Sequence, residues 1–435
     1  MKTLSYPDPS KFIELSQRPP VDHMELEATV SAIIEEVRER GDAALRDYTK
    51  KFDRADIESF VVDSEGLAAA SERVETSLKE AIDTAAGNIE DFHRLQASEE
   101  IEVETAPGVL CRQKSVAIER VGLYVPGGSA PLFSTVLMLA IPAKIAGCRE
   151  IVLCTPPGAD GTVHPAILYA AHKTGLEKVY RVGGVQAVAA MAYGTESIPR
   201  VYKIFGPGNR FVMTAKQLLG RTVVAIDMPA GPSELALMAD ESAEPRFIAA
   251  DLLSQAEHGP DSQVIFVTRK ESLIERVKNE LDRQLEALPR KDIARKALDS
   301  SRAILLRTDE EMYEFINTYA PEHLIIAMKN HEEAAARVVN AGSVFLGNYS
   351  PESVGDYSSG TNHTLPTGGF AAAYNGVNLD SFVKKITFQR LTAEGLRAIG
   401  PATVEMARAE GLTAHARAVE IRLEGFKSTG SGQVK

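Results

Sequence analysis

Apolar spacing divides this chain into an arm, a helical block and two alternating strand-helix blocks. Residues 1–20 are proline-rich and polar and are expected to form an extended arm. From Glu25 the positions Val30, Ile33, Ile34 and Val37 make a helical stripe up to Gly41, and a second helix is expected to run on to Phe52. A long helix is expected over 75–95. Residues 116–125 alternate loosely, as a strand does, and lead into Pro126-Gly127-Gly128-Ser129-Ala130-Pro131, a turn-rich loop opening a helix over 136–145.

Between Glu150 and Ala239 short apolar runs alternate with helical stretches. The pattern predicts strands at 151–154, 179–182, 201–205, 223–226 and 235–238, with helices over 164–173, 186–193 and 210–219. This rhythm implies βαβ units around a parallel sheet. A second block of the same rhythm follows, with helices over 246–257, 271–288, 310–319 and 331–339 and strands at 264–267, 303–306, 324–327 and 343–346. After Gly369 the chain is expected to be helical to about Gly425, with a frayed tail over 428–435.

Two expected strand-to-helix turns, Gly183-Gly184-Val185-Gln186 and Gly206-Pro207-Gly208-Asn209, are glycine-rich. They fall where α/β sheets bind ligands and helix N-termini face anions, although tight connections need glycine whatever they bind. The chain has no G-x-G-x-x-G fingerprint followed by an acidic residue, so a standard dinucleotide motif is not present.

Length adds that 435 residues suit two or three domains. A net charge of -12 with a pI near 5.4 argues against nucleic acid, which calls for a clustered basic face. The three cysteines, Cys111, Cys148 and Cys154, form no C-x-x-C pair and are expected to be buried free thiols in a reducing, cytoplasmic setting. No apolar run is long enough to span a membrane, and residues 1–7 lack the apolar core of an export signal.

Candidate chemistry concentrates in residues 320–369, where Glu322, His323, Asp356 and His363 stand among turn-forming Gly, Ser, Asn and Pro. Adjacent Glu322 and His323 would diverge on a strand, but in a turn after Pro321 both could face a cleft, where His takes protons near neutrality and Glu activates water. Asp356 could equally close an Asx-turn. Gln255 and His258, at i and i+3 on one helix face, offer oxygen and nitrogen donors that suit zinc, although a histidine at a helix C-terminus needs no metal. His23, His93, His164, His172 and His331 fall on polar or mixed helices and are expected at the surface or as caps. Spacing permits Gln255, His258, Asp356 and His415 to meet on one ion without showing that they do.

Several segments carry a closer likeness. Glu119 to Gly128, Phe205-Gly206-Pro207-Gly208-Asn209, Pro229-Ala230-Gly231-Pro232-Ser233-Glu234, Asp251 to Gly259, Ala320 to Leu324 and Gly342 to Gly369 together resemble the histidinol dehydrogenase family over nearly the whole length. The resemblance implies an α/β fold of two domains with incomplete Rossmann-like parallel sheets, an N-terminal arm (1–20) and a helical C-terminal extension. It places a metal and substrate domain at 21–123 and 235–376, an NAD-binding domain at 124–234 and a dimerisation segment at 377–435. It also implies oxidation of L-histidinol through the aldehyde to L-histidine, with one Zn²⁺ per subunit and two NAD⁺ per turnover.

The same resemblance implies zinc ligands Gln255, His258, Asp356 and His415, and catalytic residues Glu322 and His323. Substrate contacts would be Ser233, Glu322, His323, His363 and Glu410 together with the zinc ligands, and NAD contacts Tyr124, Gln186 and Asn209. It implies an intertwined homodimer in which His415 and Glu410 serve the partner's site. Three rivals stay open at this point. A related dehydrogenase could act on another primary alcohol, such as a sulfonated polyol, although Ser233, His363 and Glu410 favour histidinol. A zinc hydrolase would use Glu322 as base and leave Tyr124 and the glycine turns without a role. A non-catalytic scaffold would tolerate loss of Glu322 and His323.

Overall fold

The structure is a computed structural model describing residues 1–18, 23–127 and 131–428. Gly128-Ser129-Ala130 of the expected loop, Pro19-Pro20 of the arm and 429–435 of the tail lie outside the described residues. The described residues form two compact units, one within 1–96 and 118–382, the other within 97–117 and 383–435.

The larger unit carries two six-stranded sheets. The first runs in the order Val61–Val62, Val179–Arg181, Glu150–Thr155, Arg120–Tyr124, Lys203–Phe205, Ala225–Ile226, parallel except for its first pair. From Arg120–Tyr124 the chain builds outward to one side and then, with Lys203–Phe205, to the other. The resulting switch point lies between these two strands. Helices Phe133–Ala146, Pro165–Lys173, Gly184–Tyr193 and Arg210–Gly220 provide the crossovers. Residues 23–95, grouped with the second sheet in the domain reading above, pack on the first: His23–Arg40 lies against Gly184–Tyr193 and Arg210–Gly220, and Thr76–Arg94 against Phe133–Ala146. Phe133–Ala146 is buried from Ser134 to Ala143, which explains why its sequence is apolar all round.

The second sheet is parallel throughout, in the order Lys2–Ser5, Arg302–Leu305, Gln263–Thr268, Glu234–Ala239, His323–Ala327, Ser343–Leu346. Every residue of the central strands Gln263–Thr268 and Glu234–Ala239 is buried, so their near-continuous apolar runs follow from being covered on both faces. Leu235 and Leu237 face one core cluster, Ala236 and Met238 the other. Part of the expected arm is the edge strand Lys2–Ser5, and Phe12 is buried against Phe315.

Two expectations give way here. The run 116–125 is two strands, Val109–Ala117 in the smaller unit and Arg120–Tyr124 in the first sheet. The stretch after Gly369 is not helical throughout, because a nine-residue strand, Val383–Leu391, precedes helices Ala393–Ala409 and Thr413–Ser428. That strand pairs antiparallel with Val109–Ala117, which also pairs with Ile101–Ala106. Its hydrogen-bond partners lie far away in sequence, so no local period announces it. A helix at Lys291–Asp299 also went unread, and the helix expected over 331–339 ends at Ala335.

Candidate active site

Two strand ends and one short helix build the site in the larger unit. At the switch point of the first sheet Tyr124 ends its strand, buried, with its hydroxyl accepting a hydrogen bond from Gly184 N at 3.1 Å. Burial pushes this phenol up to about 12, so it stays protonated and can donate. Gly206 lies beside it with φ +124°, and a Cβ there would come within 2.1 Å of Tyr124 O, so this turn admits glycine alone. Asn209 caps helix Arg210–Gly220 by accepting from Phe211 N and Val212 N at 3.0 and 3.2 Å, which leaves its amide nitrogen available at the surface. Gln186 is buried, and its Oε1 has no hydrogen-bond partner, a vacancy suited to a ligand donor at the carboxyl edge of the sheet.

The second contribution comes from the amino end of strand His323–Ala327. The preceding helix stops at Ala320, held in the left-handed region at φ +48° immediately before Pro321, a conformation costing roughly 1 kcal/mol or more for a residue with a side chain. This turn brings Glu322 and His323, both buried, together, with Glu322 Oε2 3.7 Å from His323 Nδ1. Glu322 Oε2 accepts from Glu234 N at 2.8 Å, and His323 Nδ1 donates to Glu234 O at 3.3 Å. Because a carbonyl cannot donate, Nδ1 carries a proton and Nε2 is the nitrogen turned to the site, 3.6 Å from Asp356 Oδ1.

The third element is helix Glu352–Tyr357, where the sequence suggested a loop with an Asx-turn. Its i,i+4 pair, Glu352 and Asp356, shares one face, and Gly355 lets the helix approach Phe345, whose ring carbons a Cβ would meet at 2.6 Å. Among the described residues, His258, Glu352 and Asp356 each offer one ligand atom, all within 4.8 Å of one another. Gln255 joins them through Glu352: the amide orientation that satisfies hydrogen bonding places its nitrogen 2.6 Å from Glu352 Oε1. Glu352 is the functional candidate that sequence reasoning missed, and its spacing to Asp356 was the available signal. His363 donates from Nδ1 to Asp356 O at 2.9 Å, while its Nε2 meets Thr135 Oγ1 at 3.1 Å, tying this segment to helix Phe133–Ala146 of the first sheet.

Electrostatics set this cluster apart. Burial raises Glu322 to about 8 even though the neighbouring imidazole favours its charged form. Burial raises Glu352 as well. For His323, burial alone would lower the value, but Glu352, Glu322 and Asp356 outweigh it and push the imidazole up to about 10. Three acids around one histidine leave the group short of positive charge, and nitrogen, carboxylate and amide donors converging there suit a divalent cation such as zinc.

Ser233 is half-buried just before strand Glu234–Ala239, its carbonyl accepting from Gln263 N at 3.2 Å. His415 and Glu410 belong to the smaller unit, exposed around the turn between its two helices. His164 caps helix Pro165–Lys173, accepting from Ala166 N at 3.2 Å. His93, expected at the surface or as a cap, is instead fully buried, donating to Ile89 O at 2.8 Å with Asn362 Nδ2 3.4 Å from its other nitrogen. Cys148 and Cys154 are buried free thiols, whereas Cys111 lies half-buried in the smaller unit's sheet.

The model of the histidinol dehydrogenase family matches residues 16–423. Histidinol dehydrogenase of Bacteroides fragilis is 59% identical over 427 residues, covering 98% of this chain and 100% of that protein. That of Xylella fastidiosa is 55% identical over 395 residues, covering 91% and 92%. The crystal structure of histidinol dehydrogenase from Elizabethkingia anophelis superposes with a TM-score of 0.95 at 51% identity, covering 98% of this chain and 99% of that one.

Proposed function

Because the chain belongs to the histidinol dehydrogenase family, we propose that it oxidises L-histidinol through L-histidinaldehyde to L-histidine with two NAD⁺ and one zinc ion per subunit. It is an NAD-dependent oxidoreductase of histidine biosynthesis. The observation that carries the reading is the buried Glu322–His323 pair, with His323 Nε2 directed at Asp356 of the cation-suited cluster.

Gln255, His258 and Asp356, with His415 of the partner subunit, would hold the zinc. Bound there, the metal supplies a template for the imidazole and amino nitrogens of the substrate. With a cation offsetting the acids that raise it, His323 would be neutral and would take the hydroxyl proton at Nε2, because Nδ1 is committed to Glu234 O. Glu322 keeps Oε2 on Glu234 N and uses its free oxygen to draw a proton from the water that attacks the aldehyde. Burial raises its proton affinity to about 8, so its ionised form, present mainly above that pH, is a stronger base than an ordinary carboxylate. His323 takes the proton of the second oxidation in the same way. Ser233, His363 and Glu410 complete the substrate contacts.

Tyr124, Gln186 and Asn209 form the NAD site in the 124–234 domain. The free Gln186 oxygen and Asn209 nitrogen supply an acceptor and a donor where a fingerprint loop is lacking. Residues 235–376 carry the metal and substrate groups, and 377–435 the dimer contacts. The smaller unit exposes Ile101, Val103, Phe388, Met406 and Ile421, apolar surface that an intertwined homodimer would cover. No described helix is long and apolar enough to cross a membrane, and free thiols suit a cytoplasmic setting. The test supplies L-histidinol and NAD⁺ to the zinc-loaded protein and counts NADH formed per histidinol consumed. Two equivalents are expected, and no NADH at any histidinol concentration refutes the reading.

A further inference from the structure

One residue outside the catalytic set touches both members of the catalytic pair. Glu234 opens a central strand, and its peptide N–H binds the Glu322 carboxylate while its carbonyl receives the His323 Nδ1 proton. Its own side chain, 2% exposed, enters a network of its own partners. Arg18 spans the carboxylate, with Nε 2.8 Å from Oε1 and Nη2 2.7 Å from Oε2, and Gly368 N donates to Oε1 at 2.7 Å. Arg18 also donates to Ser16 O at 2.9 Å and Tyr319 O at 2.7 Å, and its guanidinium lies 3.9 Å from the centre of the Tyr319 ring. Tyr319 is anchored in turn by donating from its hydroxyl to Gln263 Oε1 at 2.9 Å.

The geometry points to Arg18 and Glu234 as a positioning clasp that fixes the catalytic pair by locking the backbone of Glu234 on both sides of its Cα. The inference rests on the histidinol reading and goes beyond it by assigning a task to the arm. A planar guanidinium on both oxygens of a carboxylate fixes orientation as well as distance, which a lysine cannot do. With that side chain clamped, the N–H and C=O of the same residue keep Glu322 aimed and hold His323 in the tautomer whose Nε2 faces the site. The Arg18 contacts with Tyr319 O brace the turn that delivers Pro321-Glu322-His323. The clasp therefore grips the pair from both flanks.

The test compares Arg18→Met, Arg18→Lys, Glu234→Gln and the double variant R18M/E234Q in the full-length, zinc-loaded protein. Misaimed catalytic groups cost about 10- to 100-fold in rate. Arg18→Met is therefore expected to lower kcat by about that factor with KM for NAD⁺ within about twofold, and to slow the alcohol and aldehyde half-reactions by the same factor. Arg18→Lys should recover part of the loss, and the double variant should fall no further than the worse single one. Folded, zinc-replete Arg18→Met with wild-type kcat overturns the clasp, as does a loss confined to one half-reaction. If Arg18→Met does not fold, Arg18→Lys decides: a several-fold lower kcat supports the clasp and an unchanged kcat overturns it. A wild-type chain that produces no NADH from histidinol refutes the functional reading instead. A crystal structure of Arg18→Lys then judges the clasp alone, which fails if Glu322 and His323 keep both bonds to the Glu234 peptide at wild-type length.

Discussion

Replacing Lys216 with methionine should loosen the Gly206 turn, which leads to the proposed NAD contact Asn209, through one buried ion pair. Lys216 Nζ lies 2.5 Å from Asp227 Oδ1, with both side chains 1% exposed, and also donates to Gly206 O at 2.7 Å. Asp227 accepts from Gly206 N and Met228 N, each at 2.8 Å. The backbone of Gly206 is thus held on both sides of its Cα, by the cation at its carbonyl and by the anion at its amide. Lys216→Met keeps most of the volume, so the cavity contribution is small, but it strands a buried carboxylate, which costs about 3–5 kcal/mol. The two amide donors remain in place, so a value near the low end, roughly 3 kcal/mol, is expected. If half of that appears as loosening of Gly206-Pro207-Gly208-Asn209, KM for NAD⁺ rises about tenfold, since 1.4 kcal/mol corresponds to a factor of ten. A chain of two units need not unfold in one step, so the assay pairs KM for NAD⁺ with the midpoint of the first denaturant transition. K216M/D227N removes both charges and should recover most of the lost stability. A single variant as stable as wild type, or a double variant no better than the single, refutes the argument.

Glu322→Gln should slow the aldehyde-to-acid half-reaction at least tenfold more than the alcohol half, as measured by single-turnover NADH formation with each substrate; equal slowing removes the water-activating role. Glu352→Ala should weaken zinc binding by about tenfold, read as metal retained after dialysis against a graded chelator, because it removes both a potential ligand and the partner that orients Gln255. Unchanged retention would leave Glu352 outside the metal site. Separately inactive His415→Ala and His258→Ala chains, when unfolded and refolded together, should regain activity through hybrid dimers, up to about a quarter of wild type at equal mixing if each hybrid has one intact site. Failure at every mixing ratio would argue against a shared site.

What the sequence disclosed depended on distance along the chain. The stripe of Val30, Ile33, Ile34 and Val37 and the alternating blocks were legible because periodicity is local, and the helices formed nearly where the spacing put them. The sheet of the smaller unit was not, because Val109–Ala117 finds its partner at Val383–Leu391 and neither strand alternates cleanly. Glu352 sits in Ser350-Pro351-Glu352-Ser353, which reads as turn chemistry; its role emerges only when a short helix puts it above Asp356. His93 looked like one polar residue among others on a mixed helix, yet packing buries it and Ile89 O satisfies its Nδ1 proton. Arg18 lay in an arm with nothing to recommend it, 216 residues from the carboxylate it grips.

The parallel edge pairing of Lys2–Ser5 with Arg302–Leu305 has a temporal side. At roughly 5–20 residues per second, a ribosome needs about 15–60 s to proceed from the one segment to the other. Throughout that interval Lys2–Ser5 has no strand to join, and Arg18 has neither Glu234 nor Tyr319 until each is synthesised. The first sheet, whose strands all lie within residues 61–226, can assemble meanwhile. The order of synthesis is therefore not the order of completion: residues 2–5 join the second sheet only after residues 302–305 are made, and Glu322 and His323 come into register late in the life of the nascent chain.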